Sequence, residues 1–476
     1  MPLLLRICVC SLAFLACSEA ANHFVRAGAS GAADGSDWTN ACTGFAGSCA
    51  PASLVRGDTH YVAGGTYPLS AIVTFNTAES GALRITIKGA TVADHGTETG
   101  WQNSFGVENT QAVFSASAVI PGTGIFHFTT GYWVFDGSVG TGNTMSSYGF
   151  KFTRGANCSA VTGPQDGITA LRSAATQTDL TIKYVGLEMC GPSFDAAQRG
   201  ILVGCAACYV TASVFANNYI TGAQGSMGLL NVANSTIERN WGENHWTSPN
   251  HHSDAFAAAN SDKSGGESPT CPAANECGWR NEFRYNVVKA CVGTGGMIGS
   301  SPKSFRQWKI HGNLFVNCLG GNGAIGNIGG NYAVAEAEIY NNTFASSTRI
   351  QQCSAAPGCA TATGNIVKNN LFWNNNCVDI FSEGTGGAIT HDYNAFFDCA
   401  QGTPPVETNG QIGTGDPFVN RPSSDYHLTA ATNAGDSTIG AAYNTDPDGK
   451  TRGADGAWDR GAYEFDPAQN RYCCRN

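Results

Sequence analysis

Short stretches of alternating apolar and polar residues run through this chain, and from about Thr181 they fall into a repeating unit. The unit reads apolar-x-x-Asn-x-apolar. It occurs as FANNYI (Asn218), IERNWG (Asn240), FRYNVV (Asn286), IHGNLF (Asn313), IYNNTF (Asn342), VKNNLF (Asn370) and HDYNAF (Asn394). These Asn residues are spaced by 22, 46, 27, 29, 28 and 24 residues. A second short apolar piece lies between consecutive units, at 227–230, 254–257, 296–299, 324–327, 349–351 and 379–381. Two strands and two or three turns in such a period make one coil of a solenoid. No helical period competes, so the predicted coil is all strand and the predicted fold is an all-β parallel β-helix. Upstream, residues 59–63, 82–90 and 132–138 read as further strands among Gly and Asp turns, while 91–130 are less regular.

Stacking of coils about 4.8 Å apart accounts for the repeat. Apolar side chains at alternate positions point inward. An Asn at a tight turn tolerates left-handed backbone, and its amide can bond the Asn of the next coil in a ladder. The cysteines keep the same register: Cys291, Cys318 and Cys399 each follow a ladder Asn by five residues, and Cys190 follows Val185 by five. Cys291 and Cys318 are therefore expected on neighbouring coils, as a disulfide or as part of a thiol ladder.

Composition adds a compartment. Charged residues make up 13% of the chain, against about 25% in ordinary soluble domains. The 60 glycines suit strands and tight turns. A net charge of −10 argues against nucleic acid as a partner. Residues 1–20 read as a secretion signal, with Arg6, an apolar run over 7–16 and Ser18-Glu19-Ala20 at the cleavage site. Leu15-Ala16-Cys17 also resembles a lipoprotein signal, the alternative being a tether through Cys17. That apolar run is too short to span a bilayer, and no other is long enough. Sixteen of the 19 cysteines lie beyond the signal, an even number that suits an oxidising compartment. Cys42/Cys49, Cys271/Cys277 and Cys353/Cys359 are close pairs, and a zinc site at Cys205/Cys208 would need a second ligand pair. The division expected is 1–20 signal, 21–180 N-terminal cap and first coils, 181–400 regular coils, and 401–476 C-terminal cap. In that cap, 410–416 and DYHL close the last coil and shield its core, and Asp446, Asp448 and Asp455 read as turn formers or calcium ligands.

The chain resembles secreted right-handed parallel β-helix proteins of the pectate-lyase-like superfamily. The resemblance rests on VRAGASGAADGSDWTNA…LVRGDTHYVAGGTY, on the coils with IYNNTF and IHGNLF, and on DPFVN…DYHLTAAT…DPDGKTRG…DRGAYEF. It implies the fold strongly and an activity only weakly, because such proteins include lyases, hydrolases, epimerases and non-catalytic members. β-Elimination on a uronic-acid glycan is the commonest chemistry it implies.

Candidate chemistry concentrates in the one stretched coil, 238–286, and in a column of outward positions two before each ladder Asn: Ala216, Glu238, Arg284, His311, Tyr340, Lys368 and Asp392. Glu243, His245, His251, His252, Asp254 and Arg280 are expected to feed the same surface. Residues 279–310 add Lys289, Lys303, Arg306 and Lys309 against the single acid Glu282, a basic patch suited to an acidic polysaccharide. Elimination needs a carboxylate neutraliser, a base and an acid for the leaving oxygen. His251 or His252 is the candidate base, Arg284 the carboxylate clamp, and Tyr340 or His311 the acid. His245, Arg280, Lys289 and Arg306 are candidate sugar contacts, and Glu243 with Asp254 a candidate Ca²⁺ site. The outward column reads equally well as a charge ladder holding coils in register, Glu238 to Arg284 and Lys368 to Asp392. Backbone capping is a second reading of the His-rich turn, and transition-metal ligation by His245, His251, His252 and Asp254 a weaker third, because the spacing matches no metal motif. Hydrolysis would use a carboxylate pair, Glu243/Asp254 or Glu238/Asp262. A non-catalytic sugar-binding or structural protein is the third reading.

Overall fold

The computed structural model describes residues 20–468, apart from 117–119, 121–123, 155–157, 159–164, 173–174, 192–197, 206–207, 248–252, 260–279, 292–294, 298–304, 320–322, 327–333, 353–362 and 384–386. Each repeat contributes strands to three parallel sheets. The first sheet runs over twelve strands from Asn22–Val25 to Thr390–Asp392. The second runs over twelve from Gly65–Leu69 to Gln411–Gly413. The third runs over seven from Val73–Phe75 to Gly295–Met297, and resumes as Ile350–Gln351 paired with Phe381–Ser382. Each coil therefore has three strands rather than two, because every Asn unit is a pair of strands bent at a corner. In one coil these are Val214–Ala216 and Tyr219–Thr221, followed by Gly225–Leu230 in the third sheet. The architecture is a right-handed parallel β-helix.

The Asn ladder sits at the corner between the first and second sheets. Each Nδ2 donates to the next Oδ1, from Asn218 to Asn240 at 3.0 Å through to Asn370 and Asn394 at 3.0 Å. Glu407 ends the ladder by accepting from the backbone N and Nδ2 of Asn394. The left-handed residue is not the ladder Asn but the one before it: Asn217, Arg239, Tyr285, Gly312, Asn341 and Asn369 all have φ between 52° and 63°. Inside, alternate residues form continuous apolar stacks, such as Phe315, Phe344, Phe372 and Phe396 with ring centroids 4.8, 4.9 and 5.3 Å apart. Disulfides join Cys291 to Cys318, Cys42 to Cys49, Cys158 to Cys190 and Cys377 to Cys399. Cys208 is disulfide-bonded too, which excludes the zinc reading of Cys205/Cys208. Cys271/Cys277 and Cys353/Cys359 lie outside the described residues, as do 1–19, including Cys17. No helix among the described residues is long and apolar enough to cross a membrane.

The C-terminal segment joins the last coil and then turns back along the solenoid. Gln411–Gly413 pairs with Ala395–Phe397 as the last strand of the second sheet. The antiparallel pair Phe418–Asn420 and Asp425–Leu428 then lies on the outer face of that sheet, against Leu314, Val316, Ala345, Leu371 and Trp373. From there the chain runs back along the ladder corner. Asp436 takes Lys368 Nζ at 2.8 Å, the Tyr443 carbonyl takes Asn341, that of Thr445 takes Tyr285, and that of Pro447 takes Arg239. Asp446 accepts from the backbone of Asp448, Lys450 and Glu464, as a turn former does.

Candidate functional site

The outward column stacks as its spacing requires: Ala216, Glu238, Arg284, His311, Tyr340, Lys368 and Asp392 are direct neighbours across the first sheet. It is nevertheless not an open surface. His311 and Tyr340 are buried beneath Tyr443, whose ring meets theirs edge-on at 4.8 and 4.9 Å. Burial lowers the His311 pKa against the pull of Glu282, whose Oε1 is 2.9 Å from its Nε2. Burial likewise raises the Tyr340 phenol, with Glu338 and Asp436 adding to the shift. Arg284 is clamped by Glu238 at 2.8 Å and Glu282 at 3.2 Å. Burial works against its charge, but these carboxylates more than offset that and raise its pKa. His311 and Tyr340 are covered rather than open, and the column fastens coils to each other and to the C-terminal segment.

The basic run is likewise matched by its neighbours. Lys289 donates to Ser424 at 2.8 Å and Arg280 to Gln307 at 3.0 Å. Arg280 and Lys309 share an open groove of about 530 Å³ with Glu282, Glu336 and Glu338, so that surface is not basic. Arg306 belongs to the strand Phe305–Arg306; its side chain, with His251, His252, Asp262 and Lys303, lies outside the described residues.

The stretched coil does not feed one face. Glu243 ends a strand of the second sheet, and both its oxygens are engaged, by Tyr219 at 2.7 Å and Trp241 at 2.8 Å. Asp254 begins a strand of the third sheet. The two expected calcium ligands thus stand on different sheets, and no three His, Cys, Asp or Glu gather among the described residues. His245 is buried between these sheets with its Nε2 2.8 Å from Ser226 Oγ. Burial pushes its pKa down to about 4, so it is a neutral core group rather than a sugar contact.

What the sequence reading missed lies where the third-sheet strands begin. Arg199 pairs with Gly225, Ile201 with Ile168, and Met227 with Phe256, so Asp166, Arg199, Gly225 and Asp254 form one column. Asp166 has no exposed side-chain surface, and it receives Arg199 through Nε at 2.9 Å and Nη2 at 3.3 Å. Its backbone carbonyl, and Gln165 Oε1, are held by the buried Arg154. The Arg199 side chain is 29% exposed and lies across the strand Gly225–Leu230. A Cβ at Gly228 would stand 3.1 Å from its Cδ, so a side chain there would crowd it. Nη1 has no partner among the described residues. The result is one forked cation, fixed on one side by a buried carboxylate and presenting its other edge above a glycine floor. A signal for it exists in the sequence: Gln165-Asp166-Gly167, Gln198-Arg199-Gly200 and Gln224-Gly225-Ser226 repeat at this corner.

Position favours this face as well. The ladder corner keeps a two-residue turn from coil to coil, whereas the connections from Glu188 to Arg199, from Glu243 to Asp254 and from Ala259 to Glu282 are long and border the third sheet. Loops on a rigid scaffold are where binding and catalytic groups concentrate.

No family model matches the chain, and no curated protein matches it. Solved structures do. Pectate lyase Pel9A is 15% identical with a TM-score of 0.46, over 94% of this chain and 97% of that one. XylC in complex with xylose is 10% identical with a TM-score of 0.44, over 93% and 98%. The PL6-family alginate lyase AlyGC is 10% identical with a TM-score of 0.37, over 86% of this chain and 55% of that one. At such identities these matches say nothing of activity, and the chain's own parallel ladders carry the fold: a right-handed parallel β-helix.

Proposed function

We propose that this is an extracellular polysaccharide-active protein and that the outer face of the third sheet cleaves a uronic-acid-containing glycan by β-elimination. The observation that supports it is Arg199, held by Asp166, with an Nη1 over Gly228 that has no partner among the described residues. A uronate carboxylate accepting from that nitrogen would have its charge spread as the C5 proton leaves, which stabilises the carbanion. The C4–O bond then breaks, its electrons leave with the oxygen, that oxygen takes a proton, and a C4=C5 double bond remains. His251 and His252 shortly precede Asp254 in sequence and are the proposed proton acceptors. The disulfides suit an oxidising, extracellular setting. Calcium, if required, would act as a second neutraliser of the carboxylate.

Hydrolysis is the second reading, favoured by Glu282 and Glu338 in the groove on the first sheet. They stand two strands apart, about 9.6 Å between backbones, near the carboxyl separation of inverting hydrolases. One assay separates the readings. Purified protein is incubated with pectate, alginate, ulvan and glycosaminoglycans, with and without calcium, and followed by ultraviolet absorbance and by reducing ends. Elimination raises both signals, and Arg199→Lys lowers the rate at least tenfold. Reducing ends without absorbance would indicate hydrolysis instead. Neither signal on any of these glycans would leave a binding or structural protein.

A further inference from the structure

A second pocket, of about 170 Å³, lies at the ladder corner between the solenoid and the returning C-terminal segment. Three remote parts of the chain build it. Tyr148 comes from the turn before Phe150–Thr153, Asn217, Arg239, Trp241 and Tyr285 from three successive coils, and Asp448 and Tyr463 from the C-terminal segment. We infer that it is a binding pocket for a single pyranose residue of a glycan, separate from the third-sheet face.

The chemistry of the lining points to that ligand. Four aromatic rings border a space suited to one sugar ring rather than a chain, and Trp and Tyr faces take the C–H side of a pyranose. Hydrogen-bonding groups stand among them with capacity to spare. The Asn217 amide makes no side-chain hydrogen bond among the described residues. Arg239 spends Nη1 on the Pro447 carbonyl at 2.5 Å and leaves Nε and Nη2 unused among those residues. Asp448 accepts from His427 through Oδ2 at 2.8 Å, and its Oδ1 takes no hydrogen bond among the described residues. Free donors, a free acceptor and flat apolar rings together are what a ring edged with hydroxyls requires.

Backbone geometry adds a second observation. Asn217 and Arg239 occupy the left-handed corner position, with φ of 52° and 54°. Asn adopts that conformation readily, whereas an arginine adopts it at a cost of about 1 kcal/mol or more. Tyrosines take the same corner conformation at 184, 285 and 393, the second of them in this pocket. The Arg239 guanidinium is placed 4.9 Å above the Tyr285 ring at the edge of the pocket.

The test is titration of the full chain with galacturonate and with galactose, read by tryptophan fluorescence and calorimetry. The proposal predicts saturable binding of at least one sugar, weakened tenfold or more by Trp241→Ala and by Arg239→Ala. Arg239→Ala removes an exposed side chain, so it remains informative if Trp241→Ala fails to fold. Arg199→Lys leaves this binding unchanged, and Arg239→Ala leaves turnover on soluble glycan unchanged. No saturable binding of either sugar would overturn the proposal. So would binding that Arg199→Lys abolishes and Arg239→Ala does not, a result that keeps the third-sheet reading intact. Binding lost in Arg239→Ala in a protein without turnover on any glycan would keep this pocket and sink that reading.

Discussion

Arg199 holds its Nε 2.9 Å from Oδ1 of Asp166, a carboxylate with no solvent-exposed side-chain surface. A buried charge that loses its partner is left without compensation, at about 3–5 kcal/mol. Arg199→Met is therefore expected to lower the unfolding free energy by about 3 kcal/mol. Combining it with Asp166→Asn, which removes the stranded charge, should recover most of that loss. Denaturant unfolding of the two single variants and the double variant gives the coupling directly. Additive effects would mean that the pair is not coupled, and would remove the reason for Arg199 to be fixed in place.

Asn313 is an interior rung of the ladder. It accepts from Asn286 N at 2.9 Å and donates to the Phe283 carbonyl at 2.8 Å and to Asn342 Oδ1 at 2.9 Å. Alanine there strands a buried N–H and at least one buried carbonyl, at about 1–3 kcal/mol for each. The expected loss is about 3 kcal/mol by chemical denaturation. A loss below 1 kcal/mol would show that water replaces the amide and that the ladder guides register without adding stability.

His60 and His245 are both buried, and burial pushes each pKa down to about 4 from an ordinary value near 6.5. Between those values the unfolded chain takes up protons that the folded one refuses. Their contribution to stability is thus complete above about pH 6.5 and is lost as pH falls towards 4, about 3 kcal/mol for each group at full extent. Unfolding midpoints between pH 7 and pH 4 should show this fall. His245→Gln keeps a hydrogen-bonding partner for Ser226 and should flatten the curve by about one proton. An unchanged slope in that variant would place the proton uptake elsewhere.

Much of this molecule was legible in its sequence, for one reason: the Asn ladder imposes a register that spacing reveals. The spacing placed Arg284, His311 and Tyr340 on adjacent coils, put Cys291 beside Cys318, and located the third-sheet strands Gly225–Leu230, Asp254–Ala259 and Gly295–Met297. It could not tell which face each stretch would join, because no ladder marks the turns around the third sheet. Glu243 and Asp254 therefore looked like partners and stand on different sheets. Nor did it reveal that the C-terminal segment covers the outward column. Only the covering of the second sheet left a trace: its strands 314–316, 371–373 and 395–397 are apolar at every position, as strands buried on both faces are.

That covering segment gives the last prediction. Tyr443 is buried against His311 and Tyr340, donates its hydroxyl to Glu338, and accepts from Asn341 through its carbonyl. Removing an aromatic side chain so placed costs about 3–5 kcal/mol. In a solenoid, where each coil contacts only its neighbours, such a loss need not reach the core. Tyr443→Ala is therefore expected to release residues 436–447 locally. Amide exchange should quicken there and at 340–342, while the amides around Phe315, Phe344 and Phe372 stay protected. Uniform acceleration would mean instead that the segment folds as one unit with the coils. The same variant tests the placement of chemistry, because it uncovers His311 and Tyr340. Turnover should stay the same if the third sheet carries the reaction. A rise in turnover on uncovering them would return the outward column of the first sheet to the centre of the mechanism, with the C-terminal segment as its inhibitor.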